Sequence, residues 1–332
     1  MRQFSLIGKR KLEFNDHAVL PQAAPGEIVV KVEACTVCGR SDLSYFHYHG
    51  LRDHCSTGCF GHEISGTIAE IGRKDSPFKI DQRVFIRTPL TTGYAEYAKA
   101  REVAVGRLPD DVPFDQGAIL QLLPLAIHAT RGVKIGDRVL IIGQGPVGLM
   151  ALIIAKLRGA AAIITTDLDP WRLETSKKCG ADTVIVAQKG VSPNEQAELG
   201  EIDVAIDAVG TPGTVNACVD IVRQAGLVIF LGTHHIDTKV TFDLVKWEHK
   251  GLRVHSSAEP TDEARHHAMH QAVRLVESGR VNTAALLTHR MPLESLPSAI
   301  EKLSKSAVLQ PEIETPTYAG PPEETLKVAI CP

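Results

Sequence analysis

Residues Val139 to Ile142 form an apolar run that leads directly into the turn Gly143-Gln144-Gly145-Pro146-Val147-Gly148, and the helical run Leu149 to Leu157 follows. In a strand–turn–helix unit of this kind the first glycine permits a tight turn, the second lets the backbone approach a pyrophosphate, and the third packs the helix on its strand. The positive end of the helix then faces the phosphates. Glycines alone could simply end a buried strand. Together with the flanking elements they predict that Gly143, Gly145, Pro146, Val147 and Gly148 contact a dinucleotide.

A second apolar run, Ala160 to Thr166, ends in Asp167, which lies 19 residues after Gly148. An acidic residue at about this distance is placed to bind the ribose diol. Its carboxylate repels a 2′-phosphate, so the sequence favours NAD over NADP, although the nearby Arg172 weakens that preference. We also expect Arg172, Val209 and Gly232 to contact the cofactor.

From Gly132 to about Val281 the pattern alternates between strands and helices, which predicts a doubly wound parallel sheet with helices on both faces. Asp169 and Pro170 are expected to start one helix and Gly180 to end it, while Pro212 starts another. The later strands are predicted at Thr183 to Val186, Asp203 to Asp207, Leu227 to Leu231 and Leu252 to His255.

Residues 1 to about 125 have a different texture, in which short β-rich runs are interrupted by glycine, proline and charge. The clearest runs are Glu27 to Val32, Glu63 to Ile71 and Arg83 to Ile86. This pattern predicts a compact, largely antiparallel β domain. The segment Gln310 to Glu324 is expected to form a surface loop before a last strand at Leu326 to Ile330.

Composition excludes several classes of partner. The formal net charge of −3 comes without a basic stripe or a polybasic tail, so nothing favours nucleic acid or an anionic membrane. Polar residues and glycines interrupt the apolar run Val139 to Ala155, which therefore does not predict a membrane span. The N-terminus lacks a signal-peptide pattern, and seven cysteines are an odd number, so we expect reduced thiols in a cytoplasmic protein.

Two segments carry side chains that bind metals: Cys38 to Asp42, and Gly61-His62-Glu63. Thiolate and imidazole are the usual donors to zinc. Cys38 and His62 are 24 residues apart, outside the spacing of short zinc fingers, so each could instead be an ordinary core residue.

These two segments belong to a longer series of segments that occur in the same order in one known family of enzymes. The series comprises Pro25 to Val32, Cys38 to Asp42, Gly61 to Gly66, Asp81 to Val84, Gly93 to Tyr97, the glycine turn, and Leu286 to Arg290. In these residues the chain resembles the zinc-type alcohol and polyol dehydrogenases of the medium-chain dehydrogenase/reductase superfamily, in particular the sorbitol branch. The resemblance implies an α/β protein. A GroES-like catalytic domain of residues 1–125 and 285–332 would flank a Rossmann NAD(P)-binding domain of residues 126–284, with the active site in the cleft between them. It also implies a homodimer.

Carried over by position, the resemblance makes Cys38 and His62 ligands of a catalytic zinc, with Glu63 as an adjacent or alternate ligand. Gln121 falls where relatives often have a glutamate ligand, seven residues before a histidine, here His128. Ser41 would pass the proton of the reacting hydroxyl, and Asp42 would steady the site. Zinc would polarise a carbonyl or stabilise an alkoxide while the nicotinamide exchanges a hydride at C4.

The chain also departs from the family pattern. Two residues separate Cys38 from Ser41 where relatives have one, so the backbone must bulge if both roles survive, and the neutral amide of Gln121 is a poorer donor than a carboxylate. Between His62 and Gly93 there is no cysteine-rich lobe, so we expect no structural zinc. A rearranged ligand set could use Cys35 or Cys59. The alternative is that these two cysteines are ordinary residues of β-strands and face the core.

Proton release is a further open point. Ser44 stands where many relatives have a histidine, so His47 or His49 could take over this role, although solvated loop histidines are the more common outcome for such a cluster. If zinc is absent, Ser41, Ser44, Tyr45, His47 and His49 are the candidate donors in one polar segment. His266, His267 and His270 sit in a predicted helix and are expected to form a solvated face.

The polar segments His47-Tyr48-His49 and Arg52-Asp53-His54 suit a hydroxylated small molecule. We therefore predict an enzyme that interconverts a secondary alcohol and a ketone on a sugar, cyclitol or aminosugar, acting as a ketone reductase in a biosynthetic pathway. Two alternatives remain open: a zinc-free reductase of the quinone or enoyl type on the same scaffold, and a dinucleotide-binding protein that has lost catalysis.

Overall fold

The computed structural model describes residues 1–49, 60–188, 190–232, 239–259, 261–306 and 324–332. The chain forms two compact units, one of Met1–Pro124 with Met269–Pro332 and one of Leu125–Ala268. The limits expected from the sequence lie after residues 125 and 284. Assignment of the units to catalysis and to nucleotide binding remains a prediction.

Strands dominate the first unit. Numbered along the chain, its strands are β1 (Gln3–Gly8), β2 (Lys11–Asn15), β3 (Glu27–Thr36), β4 (Glu63–Ile71), β5 (Arg83–Ile86), β6 (Tyr97–Arg101), β7 (Val105–Arg107), β14 (Leu287–Pro292) and β15 (Lys327–Cys331). Its helices are α1 (Ser41–Ser44), a π-helical turn at Tyr45–His49, α2 (Phe114–Ile119) and α10 (Leu296–Ser306).

The main sheet of this unit has the order β14-β15-β3-β4-β5-β7, and β6 also pairs with β3. Its pairs are antiparallel except β14 with β15, as predicted for a largely antiparallel domain. Apolar side chains of β3 and β4, such as Ile28, Val30, Ile64 and Ile68, are fully buried in its core.

The paired ends of β3 and β4 position the metal-type residues. Strands β4 and β5 have the predicted bounds, but β3 continues past Val32 to Thr36. It does so because Thr36 pairs with Glu63 in the antiparallel ladder. Cys38 therefore follows the end of one strand and His62 precedes the start of its neighbour.

The second unit alternates strands with helices, as predicted. Its strands are β8 (Arg138–Ile142), β9 (Ala162–Asp167), β10 (Thr183–Val186), β11 (Ile202–Asp207), β12 (Val222–Phe230) and β13 (Arg253–Ser256). Its helices are α4 (Pro146–Leu157), α5 (Pro170–Cys179), α6 (Pro193–Gln196), α7 (Pro212–Ile221) and α8 (Leu244–Lys250), while α3 (Leu122–Ala129) and α9 (Asp262–Glu277) cross its two limits.

All pairs in this six-stranded sheet are parallel, in the order β10-β9-β8-β11-β12-β13. Counted within the unit, the order is 3-2-1-4-5-6, which is the doubly wound arrangement of Rossmann folds. The chain reverses direction across the sheet next to β8. Ligands of such sheets bind beyond the carboxyl ends of the strands at this point.

Helix starts follow the sequence signals, with one local difference. Helices α4, α5, α6 and α7 each have proline in the first turn, where a backbone N–H would have no hydrogen-bond acceptor within the helix. Gly180 ends α5 in the left-handed conformation with φ of 104°. Asp169 precedes α5 as predicted, but its side chain makes no capping hydrogen bond and instead pairs with Arg172.

In the described part of the chain, each helix is too short or too polar to cross a lipid bilayer. His266, His267 and His270 are exposed on α9, as expected for a solvated face.

Candidate active site

Three side chains of the first unit bring metal-donor atoms together. The ligand atoms of Cys38, His62 and Glu63 all lie within 4.8 Å of one another, and all three residues are buried. A thiolate, an imidazole and a carboxylate are donors that zinc accepts, and three protein ligands leave a fourth position for water or substrate. The donor set therefore fits a catalytic zinc ion.

Cys38 and His62 are hydrogen-bonded to each other. Burial alone lowers the pKa of His62, but the hydrogen bond and charge of Cys38, together with nearby carboxylates, raise it to about 10. Burial and the charge of Glu63 raise the pKa of Cys38, but the hydrogen bond and charge of His62, together with the charge of Lys327, lower it by more, so the net shift is downward. The thiol and the imidazole thus favour the charged form of each other, and a metal ion would compete with the proton on His62.

Asp42 is fully buried and ties this pair to the surrounding loops. Its Oδ2 accepts the backbone N–H of Cys38 at 3.0 Å, and its Oδ1 accepts that of Gly61 at 3.0 Å and faces Nδ1 of His62 at 3.6 Å. The phenol of Tyr94 donates to Oδ2 at 2.6 Å. This arrangement suits the predicted steadying role of Asp42, because a carboxylate behind a ligand histidine fixes the orientation of its ring.

Glu63 has a buried cationic partner that is far away in sequence and was not predicted. Nζ of Lys327, on β15, contacts both carboxylate oxygens of Glu63 and donates to the carbonyl oxygen of Val37 at 3.3 Å. The hydroxyl of Thr36 also donates to Glu63. Burial lowers the pKa of Lys327, but the charge and hydrogen bond of Glu63, together with the charges of Cys38 and Asp42, outweigh it, so the pKa rises and the ammonium stays charged.

The additional residue between Cys38 and Ser41 is accommodated in the turn that leads into α1. The backbone N–H of Ser41 donates to Sγ of Cys38 at 3.3 Å, and Ser41 is buried. The unusual spacing therefore keeps both residues in contact. The role of Ser41 in proton transfer remains a prediction.

Gln121 lies buried between α2 and α3, and its side-chain nitrogen donates to the carbonyl oxygen of Arg87 at 3.1 Å. Its role as a ligand remains a prediction. Cys35 is fully buried within β3, and burial raises the pKa of its thiol, which favours the core interpretation over a ligand role. Cys59, the other candidate for a rearranged ligand set, lies outside the described residues.

His47 is a buried histidine whose Nε2 is hydrogen-bonded to Oγ of Ser304 at 2.8 Å. Burial and the positive charges of Arg10 and Lys9 lower its pKa to about 4. An imidazole that is neutral down to pH 4 is poorly matched to proton exchange near neutral pH. The side chain of His49 lies outside the described part of the chain, so the proton-release role of either histidine stays a prediction.

In the second unit, the glycine turn has the geometry expected of a phosphate cradle. Gly143 has φ of 93°, and a Cβ added at Gly148 would lie 1.9 Å from the carbonyl oxygen of Gly143. Gly145, Pro146 and Val147 are only half-buried, and a Cβ added at Gly145 would meet nothing nearer than Nη1 of Arg172 at 3.9 Å. Two glycines thus serve packing, while the middle one leaves the backbone accessible.

Asp167 ends β9 beside this turn. Its Oδ2 accepts the backbone N–H of Gln144 at 2.6 Å and its Oδ1 that of Asp169 at 2.9 Å. Burial raises the pKa of Asp167, partly countered by Arg172. Nε of Arg172 lies 3.2 Å from a carboxylate oxygen of Asp169. The positive charge of Arg172 therefore acts on both Asp167 and Asp169.

The buried side chain of Gln144 supports the turn from within and was not predicted. Its amide nitrogen donates to the carbonyl oxygens of Ile141 at 3.3 Å and Gly143 at 3.0 Å, and its oxygen accepts the hydroxyl of Ser176 at 3.1 Å. A polar residue between two glycines of the turn was the available signal.

Val209 and Gly232 lie side by side at the carboxyl ends of β11 and β12. Asp207 accepts the backbone N–H of Val209 at 3.0 Å through its side chain and that of Gly232 at 2.8 Å through its carbonyl oxygen. A Cβ added at Gly232 would lie 2.6 Å from the nitrogen of Val209, so only glycine fits there. Both residues are half-buried.

The chain is similar to known dehydrogenases in both of its units. Residues 24–110 match the family described as alcohol dehydrogenase GroES-like domain, and residues 146–278 match the family described as zinc-binding dehydrogenase. The chain is 29% identical to sorbitol dehydrogenase of Gallus gallus over 322 residues, covering 85% of this chain and 87% of that protein.

Solved structures share the fold. Galactitol-1-phosphate dehydrogenase from Escherichia coli superposes with a TM-score of 0.79 at 23% identity, covering 100% of both chains. The 2R,3R-butanediol dehydrogenase from Bacillus subtilis gives a TM-score of 0.79 at 21% identity and covers 100% of this chain and 99% of that one.

Proposed function

Since the chain belongs to the zinc-type alcohol and polyol dehydrogenases of the medium-chain dehydrogenase/reductase superfamily, we propose that it interconverts a secondary alcohol and a ketone on a hydroxylated small molecule, using NAD(H) and one zinc ion. The observation that carries this proposal is the buried group of Cys38, His62 and Glu63. Residues 1–125 with 285–332 would form the catalytic domain and residues 126–284 the nucleotide domain.

The chain's own residues prepare this chemistry. When bound, zinc supplies Lewis-acid stabilisation of an alkoxide or polarisation of a carbonyl, and the nicotinamide supplies or accepts the hydride. Cys38, His62 and Glu63 would hold the metal, with Gln121 as a further candidate donor. Asp42 keeps the ring of His62 in place from behind, and Ser41, adjacent to Cys38, would move the hydroxyl proton of the substrate.

The second unit would hold the cofactor. Gly143, Gly145, Pro146, Val147 and Gly148 would face the pyrophosphate, and Asp167 would accept hydrogen bonds from the ribose hydroxyls. Arg172, Val209 and Gly232 complete the proposed contacts. Asp167 supports NAD as the preferred cofactor, while Arg172 leaves room for NADP.

The substrate class is proposed from the relatives and from the residues of this chain. The relatives include dehydrogenases of sorbitol, galactitol 1-phosphate and 2R,3R-butanediol. A sugar, cyclitol or aminosugar therefore suits the site, with ketone reduction as the proposed direction. We further propose a homodimer that works in the cytoplasm, where the five described cysteines, all free thiols, would stay reduced.

Metal analysis combined with turnover tests the proposal. Freshly purified protein should contain about one zinc ion per chain and should exchange hydride between NAD(H) and members of a panel of polyols and ketosugars. Cys38→Ser should lose both zinc and turnover. The matched control Cys179→Ser, a half-buried thiol in the second unit, should keep both.

Two results would contradict the proposal in different ways. Full activity with less than about 0.3 zinc per chain would indicate a zinc-free reductase of the quinone or enoyl type. Tight NADH binding without turnover across the whole panel would indicate a dinucleotide-binding protein without catalysis.

A further inference from the structure

Tyr94 is fully buried immediately behind the metal-type residues. Its ring packs edge-on against Phe60 with the centroids 4.9 Å apart, and it leaves no room for a side chain at Gly61, where an added Cβ would lie 2.7 Å from the ring. Its backbone carbonyl accepts the N–H of Phe4 at 2.8 Å. Contacts with both its backbone and its ring therefore restrain the tyrosine.

Among the described residues, the phenolic hydroxyl donates its hydrogen bond to the carboxylate of Asp42. The O–H donates to Oδ2 of Asp42 over 2.6 Å. The other described contacts of this carboxylate are the N–H of Cys38 on Oδ2, the N–H of Gly61 on Oδ1, and Nδ1 of His62 opposite Oδ1.

We propose that Tyr94 is a positioning residue for the metal ligand His62 and that it acts through Asp42. The phenol and the N–H of Cys38 hold Oδ2, and this fixes the rotation of the carboxylate so that Oδ1 faces Nδ1 of His62. The ring of His62 then presents its other nitrogen, Nε2, toward the site. This inference rests on the proposed zinc-dependent function.

Burial makes the hydroxyl hard to replace. Asp42 and Tyr94 are both fully buried, so a lost O–H donor would leave the carboxylate short of a hydrogen bond in a region closed to bulk water. Groups that orient a ligand histidine typically change metal affinity by about 10- to 100-fold when they are removed. Tyr94 acts one step further from the metal, so we expect the lower end of that range.

Tyr94→Phe separates the hydroxyl from the ring, because phenylalanine retains the packing against Phe60 and Gly61. Zinc affinity is measured by competition with a chromophoric chelator, and the visible spectrum is recorded after loading with Co²⁺. The matched control is Tyr97→Phe, which alters a half-buried tyrosine on β6 in the same unit.

Loss of the Tyr94 hydroxyl should raise the dissociation constant for Zn²⁺ about tenfold and shift the Co²⁺ bands, because the geometry of the ligand field changes. Tyr97→Phe should leave both unchanged. A folded Tyr94→Phe protein with wild-type Zn²⁺ affinity and wild-type Co²⁺ bands would overturn the inference while leaving the proposed function intact.

A second substitution covers the case in which Tyr94→Phe does not fold. Incorporation of 3-fluorotyrosine at position 94 keeps the ring and the hydroxyl but makes the O–H a stronger donor, so the Co²⁺ bands should move; unchanged bands would overturn the inference. Wild-type protein that binds neither Zn²⁺ nor Co²⁺ would overturn the proposed function itself.

Discussion

Lys327 and Glu63 form a buried ion pair although they lie 264 positions apart in the chain. Both side chains are excluded from solvent, and the ammonium contacts both carboxylate oxygens. In such a pair each charge depends on the other, because no water is present to solvate a charge that has lost its partner.

Lys327→Met should therefore lower the free energy of unfolding of the metal-free protein by about 3–5 kcal/mol. The matched control is Lys305→Met, which removes an exposed partner of Glu301 and should cost less than about 1 kcal/mol. Urea unfolding followed by circular dichroism measures both. The double variant Glu63→Gln with Lys327→Met should recover part of the loss. Equal effects of the two lysine variants would show that the buried pair does not stabilise the fold.

His47 should make stability depend on pH on the acidic side. Its pKa in the folded protein is about 4, below the 6.5 of an ordinary histidine, because of burial and the charges of Arg10 and Lys9. The unfolded chain therefore binds a proton between pH 6.5 and 4 that the folded chain does not, so stability is lost as pH falls through this window. From pH 7 to pH 5 the loss from this residue should be about 1–2 kcal/mol.

The measurement compares unfolding free energies at the two pH values for wild type and His47→Gln, and the variant should show a correspondingly smaller loss. His17→Gln, at an exposed histidine, is the control and should behave as wild type. If His47→Gln retains the full pH dependence, the buried neutral state of His47 is not its source.

Asp167→Ser should shift cofactor preference from NAD toward NADP. The carboxylate at the end of β9 is proposed to bind the ribose diol and to repel a 2′-phosphate. We expect the ratio of kcat/KM for NAD to that for NADP to fall by about 10- to 100-fold, which corresponds to about 1.4–2.8 kcal/mol. Asp220→Ser, at a more exposed aspartate of the same unit, should not change the ratio. An unaltered ratio in Asp167→Ser would remove Asp167 from the proposed ribose site.

Gly148→Ala should disrupt the proposed phosphate-binding turn. The added Cβ would lie 1.9 Å from the carbonyl oxygen of Gly143, so α4 must move away from β8. Overpacking of this kind costs about 1–3 kcal/mol, and we expect weaker NADH binding by fluorescence titration together with a lower melting temperature. Gly213→Ala on α7 is the matched control, because its Cβ would meet nothing nearer than 4.0 Å, and it should be neutral or slightly stabilising. Wild-type NADH affinity in Gly148→Ala would contradict the close approach.

Local signals in the sequence were sufficient for much of the second unit. Thr183 to Val186 has the predicted bounds, and Pro170 and Gly180 mark the start and the end of α5 as expected. Strand β12 was harder, because it begins at Val222 instead of Leu227. Its first residues include the charged Arg223, which does not suggest a strand, and the early start depends on Val222 pairing with Ile202 of β11 before the register shifts to Leu227.

The metal-type residues were predictable as candidates, but their partners were not. Cys38, His62 and Glu63 lie in recognisable segments, whereas Lys327 reaches Glu63 only because β15 pairs with β3. A single lysine in the otherwise apolar run Leu326 to Ile330 was the only local sign. Periodicity identifies the strand, but it cannot identify a partner that is supplied by another part of the chain.

Strand β15 lies between β14 and β3, so two strands that come late in the sequence complete one side of the first unit's main sheet. During translation, β3 and β4 leave the ribosome long before residues 327–331 do. Until that last strand arrives, Cys35 and Thr36 at the end of β3 lack their β15 partners, and Glu63 lacks the ammonium that neutralises it. The second unit, which is continuous in sequence, can form its own sheet in the meantime, so we expect the buried surroundings of Glu63 to be completed late in folding.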